Sequence, residues 1–338
     1  MKSILFIIDS LQRGGKERQL IALIKKLAGS DQFRIGLILL DNKIEFEEIK
    51  SNRLQIFQVI RKTRFCVMSF FKIFSIAQNF RPDIVCSWTI MGTFYAFLPT
   101  KILGCKFVDS TIQNTFLEPR NIIIRILRRI LFRFSDNVVA NSIAGMKIWS
   151  LKPNKKNRLI YNGIDLSRFN NHDDAEILKK SLNIKTKYVV GTIANFTPYK
   201  DYKTFFEAAI IITAQRTDIS FLAIGDGPER EKFMQQYKDY IGRNIFMPGK
   251  IRDVEKYIKI FDIGVLSSFR EGISNSILEC FACAKPVIST SEGGTNEIID
   301  DCINGIILPP QSIEKLANSI LMLINDDTKR QEYGLKAL

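Results

Sequence analysis

The sequence predicts an α/β protein of two Rossmann-like domains, each built on a parallel sheet, with the strand ends of both facing a central cleft. Three observations predict it. Short β-rich runs alternate with helix-length segments along the whole chain, as parallel α/β architecture requires. Most of these runs are near-continuous apolar stretches rather than alternating ones, which suits strands covered on both faces. The pattern also halts at a polar stretch and then restarts, and 338 residues exceed what one core of ordinary size accommodates.

In the first half the strand candidates are "SILFIID", "RIGLILL", "QIFQVI", "DIVCSW", "KFVDST" and "NVVANS". After "RLIYNGID" comes the polar "NNHDDAEILKKSLNIKTK", so a linker is expected near residues 165–175 and domains at 1–168 and 169–338. The second set is "YVVGTIANF", "ISFLAIGDG", "NIFMPGK", "DIGVLSS", "KPVIST" and "GIILPP". Ligands of open α/β sheets sit beyond the carboxyl ends of the strands. Those ends carry "SLQRGGKE", "NFTPYK", "GDGPERE" and "FREGISNS".

Composition narrows the class. With 46% hydrophobic and 25% charged residues the chain reads as soluble and globular. Asp9 and Arg13 follow "KSILFIID" where a secretory cleavage site would lie. The run "IVCSWTIMGTFYAFLP" from Ile84 is shorter than the roughly 20 apolar residues of a membrane span and reads as a buried strand passing into a helix. Cys280 and Cys283 form a C-x-x-C in an apolar helix-like run with no second pair, so buried thiols of a reducing cytoplasm are expected. A single histidine, His172, and the absence of a D-x-D triplet argue against a protein-held metal. Residues 1–165 hold 27 Lys and Arg against 12 Asp and Glu, whereas residues 166–338 hold 22 against 23. The basic excess thus lies in the first half, which points to an anionic surface. No base-reading or base-stacking module accompanies it, so nucleic acid is not the expected partner.

Gly14 and Gly15 open a helix after the first strand, where backbone can approach a phosphate. Lys200, in the loop before a helix, suits a phosphate as a point charge. Gly225 and Gly227 flank Asp226 at a strand-to-helix corner. The segment "FREGISNSILE" is the most informative. Ser274, Asn275 and Ser276 are N-cap candidates for a helix whose first turn would seat a diphosphate. Glu279 lies where a carboxylate can accept from paired ribose hydroxyls, and Glu271 in the loop just before. As helix-dipole partners alone these acids would contribute roughly 0.3–1 kcal/mol each.

The ordered set "GGKE", "YNGID", Lys200, "GDGP", "EGISNSILE" and "PVISTSEGGTNEI" resembles the family 4 retaining glycosyltransferases of the GT-B fold, over nearly the whole chain. The resemblance implies a nucleotide-sugar donor, a UDP- or GDP-sugar, with no cofactor and no protein-bound metal. Glu279 would hold the ribose hydroxyls, and Glu271 would lie near the sugar. Backbone N–H groups of Gly272, Ile273, Ser274 and Asn275 would surround sugar and diphosphate. Lys200 would neutralise the departing diphosphate, Gly15 would admit the phosphates, and Gly225 and Asn195 would complete the donor site. The implied mechanism is a same-face displacement in which the leaving diphosphate takes the acceptor's proton, with Lys200 and Glu271 as catalytic groups. Asn195 departs from the pattern, since the family has an arginine five residues before the lysine. The first domain's cleft histidine is also replaced by "IQNT", where Gln113 or Asn114 would contact sugar.

Residues 121–134, "NIIIRILRRILFRF", are amphipathic, with Arg125, Arg128, Arg129 and Arg133 within an arc of about 140° at 100° per residue. Two readings stand: basic residues facing solvent over a sheet-covering apolar side, or basic residues facing the inner leaflet of the cytoplasmic membrane beside a lipid-linked acceptor. The reading overall is a cytoplasmic, peripherally membrane-associated glycosyltransferase acting on a lipid-linked or surface-polysaccharide precursor. A nucleotide-sugar epimerase on the same scaffold, and a non-catalytic GT-B binding subunit, are the alternatives.

Overall fold

Seven apolar segments of the first half assemble into one wholly parallel sheet in the computed structural model, which describes residues 1–12, 14–45, 54–61, 63, 66–113, 122–170, 175–290 and 292–338. The elements run β1 (Lys2–Ile8), α1 (Gly15–Ala28), β2 (Phe33–Leu39), β3 (Leu54–Gln58), α2 (Val67–Phe80), β4 (Ile84–Ser87), α3 (Ile90–Ile102), β5 (Lys106–Ile112), α4 (Ile122–Phe134), β6 (Asn137–Ala140), α5 (Ile143–Ile148) and β7 (Asn157–Leu159). Strand order is β3-β2-β1-β4-β5-β6-β7, so winding reverses between β1 and β4. Leu20, Ile21 and Ile24 of α1 cover one face of the sheet against Phe6, Ile8 and Leu37. Ile73 and Phe80 of α2 and Tyr95 of α3 cover the other against Leu5, Ile7 and Phe107. This unit spans Met1–Asn162, and Gly163–Leu338 form a second.

The second unit repeats the plan. A 3-10 turn (Leu166–Phe169) precedes α6 (Ala175–Ser181), β8 (Tyr188–Ile193), α7 (Tyr202–Thr213), β9 (Ile219–Ile224), α8 (Arg230–Gln236), β10 (Ile245–Gly249), α9 (Val254–Ile258) and β11 (Ile263–Leu266). Then come β12 (Arg270–Glu271), α10 (Asn275–Phe281), β13 (Val287–Ser289), β14 (Glu292–Gly293), a 3-10 turn (Gly294–Glu297), β15 (Gly305–Ile307), α11 (Ile313–Asn325) and α12 (Asp327–Ala337). The parallel order is β10-β9-β8-β11-β13-β15, and β12 and β14 form a separate two-stranded parallel ribbon. Winding reverses between β8 and β11.

The apolar run from Ile84 is β4 followed by α3, and among the described residues no helix is long and apolar enough to cross a membrane. Cys280 is buried against Gly264, and burial pushes the Cys283 thiol up to about 11. His172 and part of the expected linker lie outside the described residues.

One expectation is corrected. Arg128 is not outward-facing: it is buried, donates to Thr111 Oγ1 at 2.6 Å and lies over the rings of Trp149 (4.3 Å) and Phe132 (5.0 Å). Leu131 and Phe132 join it inside, while Ile122, Ile126, Ile130 and Phe134 are exposed. Periodicity defines stripes on a helix but not which stripe meets the sheet. Here the Asp109 carboxyl and the indole of Trp149 offer the guanidinium a receptacle, though burial still lowers the Arg128 pKa and raises that of Asp109.

At the amino edge of the first sheet, Asp83 accepts from the Ser3 N–H (2.6 Å) and hydroxyl (3.0 Å), tying the start of β4 to β1. The Ser3 N–H in particular holds the Asp83 carboxyl below its usual range. A lowered folded pKa contributes stability above the unfolded value, lost as pH falls through the folded one. Asp83→Ala should therefore lower the unfolding midpoint most near neutrality. The gap to the wild type should close as pH drops below about 4, as urea melts across pH would read.

Candidate active site

In the second unit the reversal of winding at β8 and β11 leaves a crevice at their carboxyl ends, where ligands of such sheets bind. Two loops form it. The chain leaving β8 turns at Asn195–Lys200, with the Lys200 N–H donating to Thr197 O (2.9 Å). Asp201 then caps α7, accepting from the Thr204 N–H (3.2 Å) and hydroxyl (2.5 Å). The loop leaving β11 is stitched to the first by Asp201 N–H to Ser267 O (3.0 Å) and Phe269 N–H to Tyr199 O (3.1 Å).

This stitching brings Lys200 and Glu271 together. The ammonium pairs directly with Glu271 Oε1, and the Ser268 hydroxyl donates to the same oxygen at 2.9 Å. Both side chains are about 15% exposed, so the pair is largely shielded from water. Glu271 is anchored further by the β12–β14 ribbon, which aligns Glu271 with Gly293. Gly293 has φ +104°, a conformation only glycine adopts without strain, and it leads into the turn Gly294–Glu297. The Glu-x7-Glu segment and the Gly-Gly-x-x-Glu segment are thus hydrogen-bonded neighbours.

Beyond Glu271 the chain runs through buried Gly272, Ile273 and Ser274 into α10. Ser274 occupies the N-cap with extended backbone, but its hydroxyl pairs sideways with that of Ser276 (2.9 Å) instead of capping. Asn275 is the first helical residue. One turn on, Glu279 is 3% exposed. Arg168 reaches it from the 3-10 turn, Nη1 lying 3.7 Å from Glu279 Oε1 while Nη2 contacts Glu255 Oε2 at 2.9 Å. Arg168 escaped sequence reasoning, because an arginine beside a polar linker reads as solvated surface charge.

Gly225 has a packing role on view. A Cβ there would lie 1.9 Å from Ala194 O, and one on Gly227 would lie 2.4 Å from Phe196 O. The "GDG" corner therefore presses against the Lys200 loop, whose Phe196 stacks on Tyr202 with centroids 3.8 Å apart. The Asn195 side chain is exposed beside it.

In the first unit Gly15 starts α1 after Gly14. A Cβ on Gly14 would meet Glu17 Oε2 at 2.3 Å, so the glycine makes room for this buried acid, whose pKa burial raises. The Trp88 indole donates to Lys16 O (2.9 Å) across the β1/β4 reversal. The Gln113 side-chain amide donates to Ser110 O (2.8 Å), and the Gln113 backbone carbonyl accepts from Asn141 Nδ2 (3.4 Å), a buried residue whose own Oδ1 lacks a protein partner. Asn114 lies outside the described residues. Among the described residues no cluster of His, Cys, Asp or Glu has the form of a metal site.

Residues 13–168 match the family model described as Glycosyltransferase Family 4, and residues 173–337 match Glycosyl transferases group 1. An uncharacterised glycosyltransferase of Methanocaldococcus jannaschii is 25% identical over 216 residues, 62% of this chain and 54% of the relative, so the chain spans about half the length of that protein. An N-acetylgalactosamine-N,N'-diacetylbacillosaminyl-diphospho-undecaprenol 4-alpha-N-acetylgalactosaminyltransferase of Campylobacter jejuni is 22% identical, covering 100% of this chain and 94% of that protein. The crystal structure of Anabaena HepE with UDP and glucose superposes with a TM-score of 0.85 at 20% identity, covering 100% of this chain and 94% of that one. The fold is that of GT-B glycosyltransferases.

Arg168→Met would leave the buried Glu279 without its guanidinium and should cost about 1–3 kcal/mol of stability in urea unfolding. Adding Glu279→Gln should recover part of that loss, because the more deeply buried of the two carboxylates that Arg168 serves is then neutral, while Glu255 still lacks its guanidinium.

Proposed function

From the premise that the chain belongs to the family 4 glycosyltransferases, we propose that it moves a sugar, with retention and without a protein-bound metal, from a nucleotide-sugar donor to a lipid-linked or surface-polysaccharide precursor. The observation that carries this reading is the Lys200–Glu271 pair at the β8/β11 reversal, with Glu279 buried on the helix that follows.

The donor's diphosphate enters the crevice and takes the Lys200 ammonium from Glu271. Glu271, steadied by the Ser268 hydroxyl, then accepts from hydroxyls of the transferred sugar. Glu279, oriented by Arg168, accepts from the ribose, while the backbone from Gly272 to Asn275 lines the diphosphate. Asn195 adds a neutral donor beside the lysine. As the bond to the anomeric carbon breaks, charge grows on the departing diphosphate, and the fixed ammonium stabilises it most at that point. The leaving oxygen takes the acceptor hydroxyl's proton, so no protein nucleophile is required. A uridine diphosphate sugar heads the donor candidates, in line with the ligand of HepE, with GDP-sugars next. The Campylobacter relative, named for an undecaprenol-linked acceptor, supports the lipid-linked class.

Lys200→Ala should lower turnover at saturating donor by about 10²-fold. Glu279→Ala should act mainly by raising the donor KM, because a ribose contact is similar in ground and transition states. Equal turnover in the two variants would sink this division of roles. Among UDP-, GDP-, ADP- and CMP-sugars, the true donor at 100 times its Kd should stabilise the fold by about 2.7 kcal/mol in thermal unfolding. No shift and no donor turnover with any of them would leave the non-catalytic alternative standing.

A further inference from the structure

Helix α4 is built inside out for a sheet-covering helix. Its thirteen residues include no acid, and only Arg128, Leu131 and Phe132 are buried. Ile122, Ile123, Ile126, Leu127, Ile130 and Phe134 are all exposed, Ile123 by 69% and Phe134 by 59%. At 100° per residue these six fall within one arc of about 140°, entered only by Arg133 close to one edge, so they form an apolar stripe rather than scattered positions. Arg129 and Arg133, both exposed, run along one edge of the stripe, and no carboxylate pairs with them among the described residues.

We propose that this apolar stripe of α4 inserts into the interfacial layer of an anionic phospholipid leaflet, with Arg129 and Arg133 on the headgroup phosphates. The proposal rests, for its purpose, on the lipid-linked acceptor reading. It reverses the sequence-based expectation that the basic side makes the contact: the apolar side enters, and the arginines orient it. Charge selects the occupant. Residues 1–165 carry 27 basic against 12 acidic side chains, so a second copy laid on the same stripe would bring like charge against like. An anionic leaflet supplies both opposite charge and an apolar layer a few ångströms deep, the environment taken up by helices with one apolar and one basic side. The exposed Leu98 and Ile102 of α3 extend the apolar surface of the same unit. They lie on the same side of the sheet as α4, because Thr93 of α3 reaches Asp109 and Arg128 reaches Thr111, two residues along β5.

The test is flotation of the full chain, without donor or acceptor, on vesicles of phosphatidylglycerol and phosphatidylcholine and on phosphatidylcholine alone. Wild type should float with the anionic vesicles and retain a substantial fraction of that binding at 0.5 M salt, roughly where charge effects alone are screened. The variant I126S/I130S, which replaces solvent-facing residues only, should lose at least about tenfold in partitioning. R129Q/R133Q should lose about fivefold per charge at low salt. Equal flotation of I126S/I130S and wild type would overturn insertion, as would binding abolished by salt alone. A wild-type dimer that I126S/I130S converts to monomer would overturn it in favour of self-association. Donor-induced thermal shifts, read on the same variants, should be unchanged, so failure of the donor reading and failure of membrane insertion give different results.

Discussion

The parallel contact between β8 and β11 is the constraint on which the candidate site depends, because the second sheet winds outward in opposite directions from that pair. Helices following the two strands cannot both fill the space above their carboxyl ends, so the loops there must carry their own support. They do so with two backbone hydrogen bonds and the Lys200–Glu271 ion pair, which spans 71 residues of sequence. A largely shielded pair of this kind gains Coulomb energy but forfeits hydration, and its net worth is near break-even. That balance would suit the exchange of carboxylate for diphosphate that the proposed function requires. A stronger lock would oppose the ligand, and an unpaired ammonium there would carry a desolvation penalty.

The remaining motif residues serve the same loops. The glycines at 225 and 227 let one corner press on the backbone of Ala194 and Phe196, and the stacked rings of Phe196 and Tyr202 hold that loop from below. Gly293 turns the chain so that β14 can pair with Glu271's own strand. Residues that look like separate ligand contacts in the sequence therefore form a mutually braced frame. Substituting one of the glycines would shift Lys200 without touching any ligand.

Strand positions were legible because strands covered on both faces must be apolar throughout; the twelve runs singled out correspond to strands of the two main sheets. β7, β12 and β14 were not: β12 and β14 are two residues each, and β7, "NRL", is polar at two of its three positions and follows the polar "KPNKK". The site loops were legible from topology, as polar and glycine-rich residues at strand ends have few other uses. What topology could not supply was partnership. Glu271 and Glu279 read as a matched pair of clasps, yet one is held by a lysine and the other by Arg168, a residue with no local signature. Side-chain partners far apart in sequence are fixed only when both loops are in place. For α4 the failure was one of direction: the most basic stripe looked like the solvent side, yet its Arg128 is the residue buried beneath.

The division of charge follows from the same logic. In the second unit, acids and bases are nearly equal in number, and those near the crevice neutralise one another: Lys200 with Glu271, and Arg168 with Glu255 and Glu279. On the proposed reading a polyanionic ligand would be met there by a few groups that change partners, which would localise attraction at the reacting atoms. In the first unit the basic excess is spread along surfaces such as α4, beside exposed isoleucines. Diffuse positive charge is poor at fixing one small ligand but effective at holding a chain against an extended anionic layer, where many weak contacts sum. Under the proposed function, concentrating charge pairs in one unit and diffuse charge with apolar surface in the other would separate donor recognition from access to the acceptor.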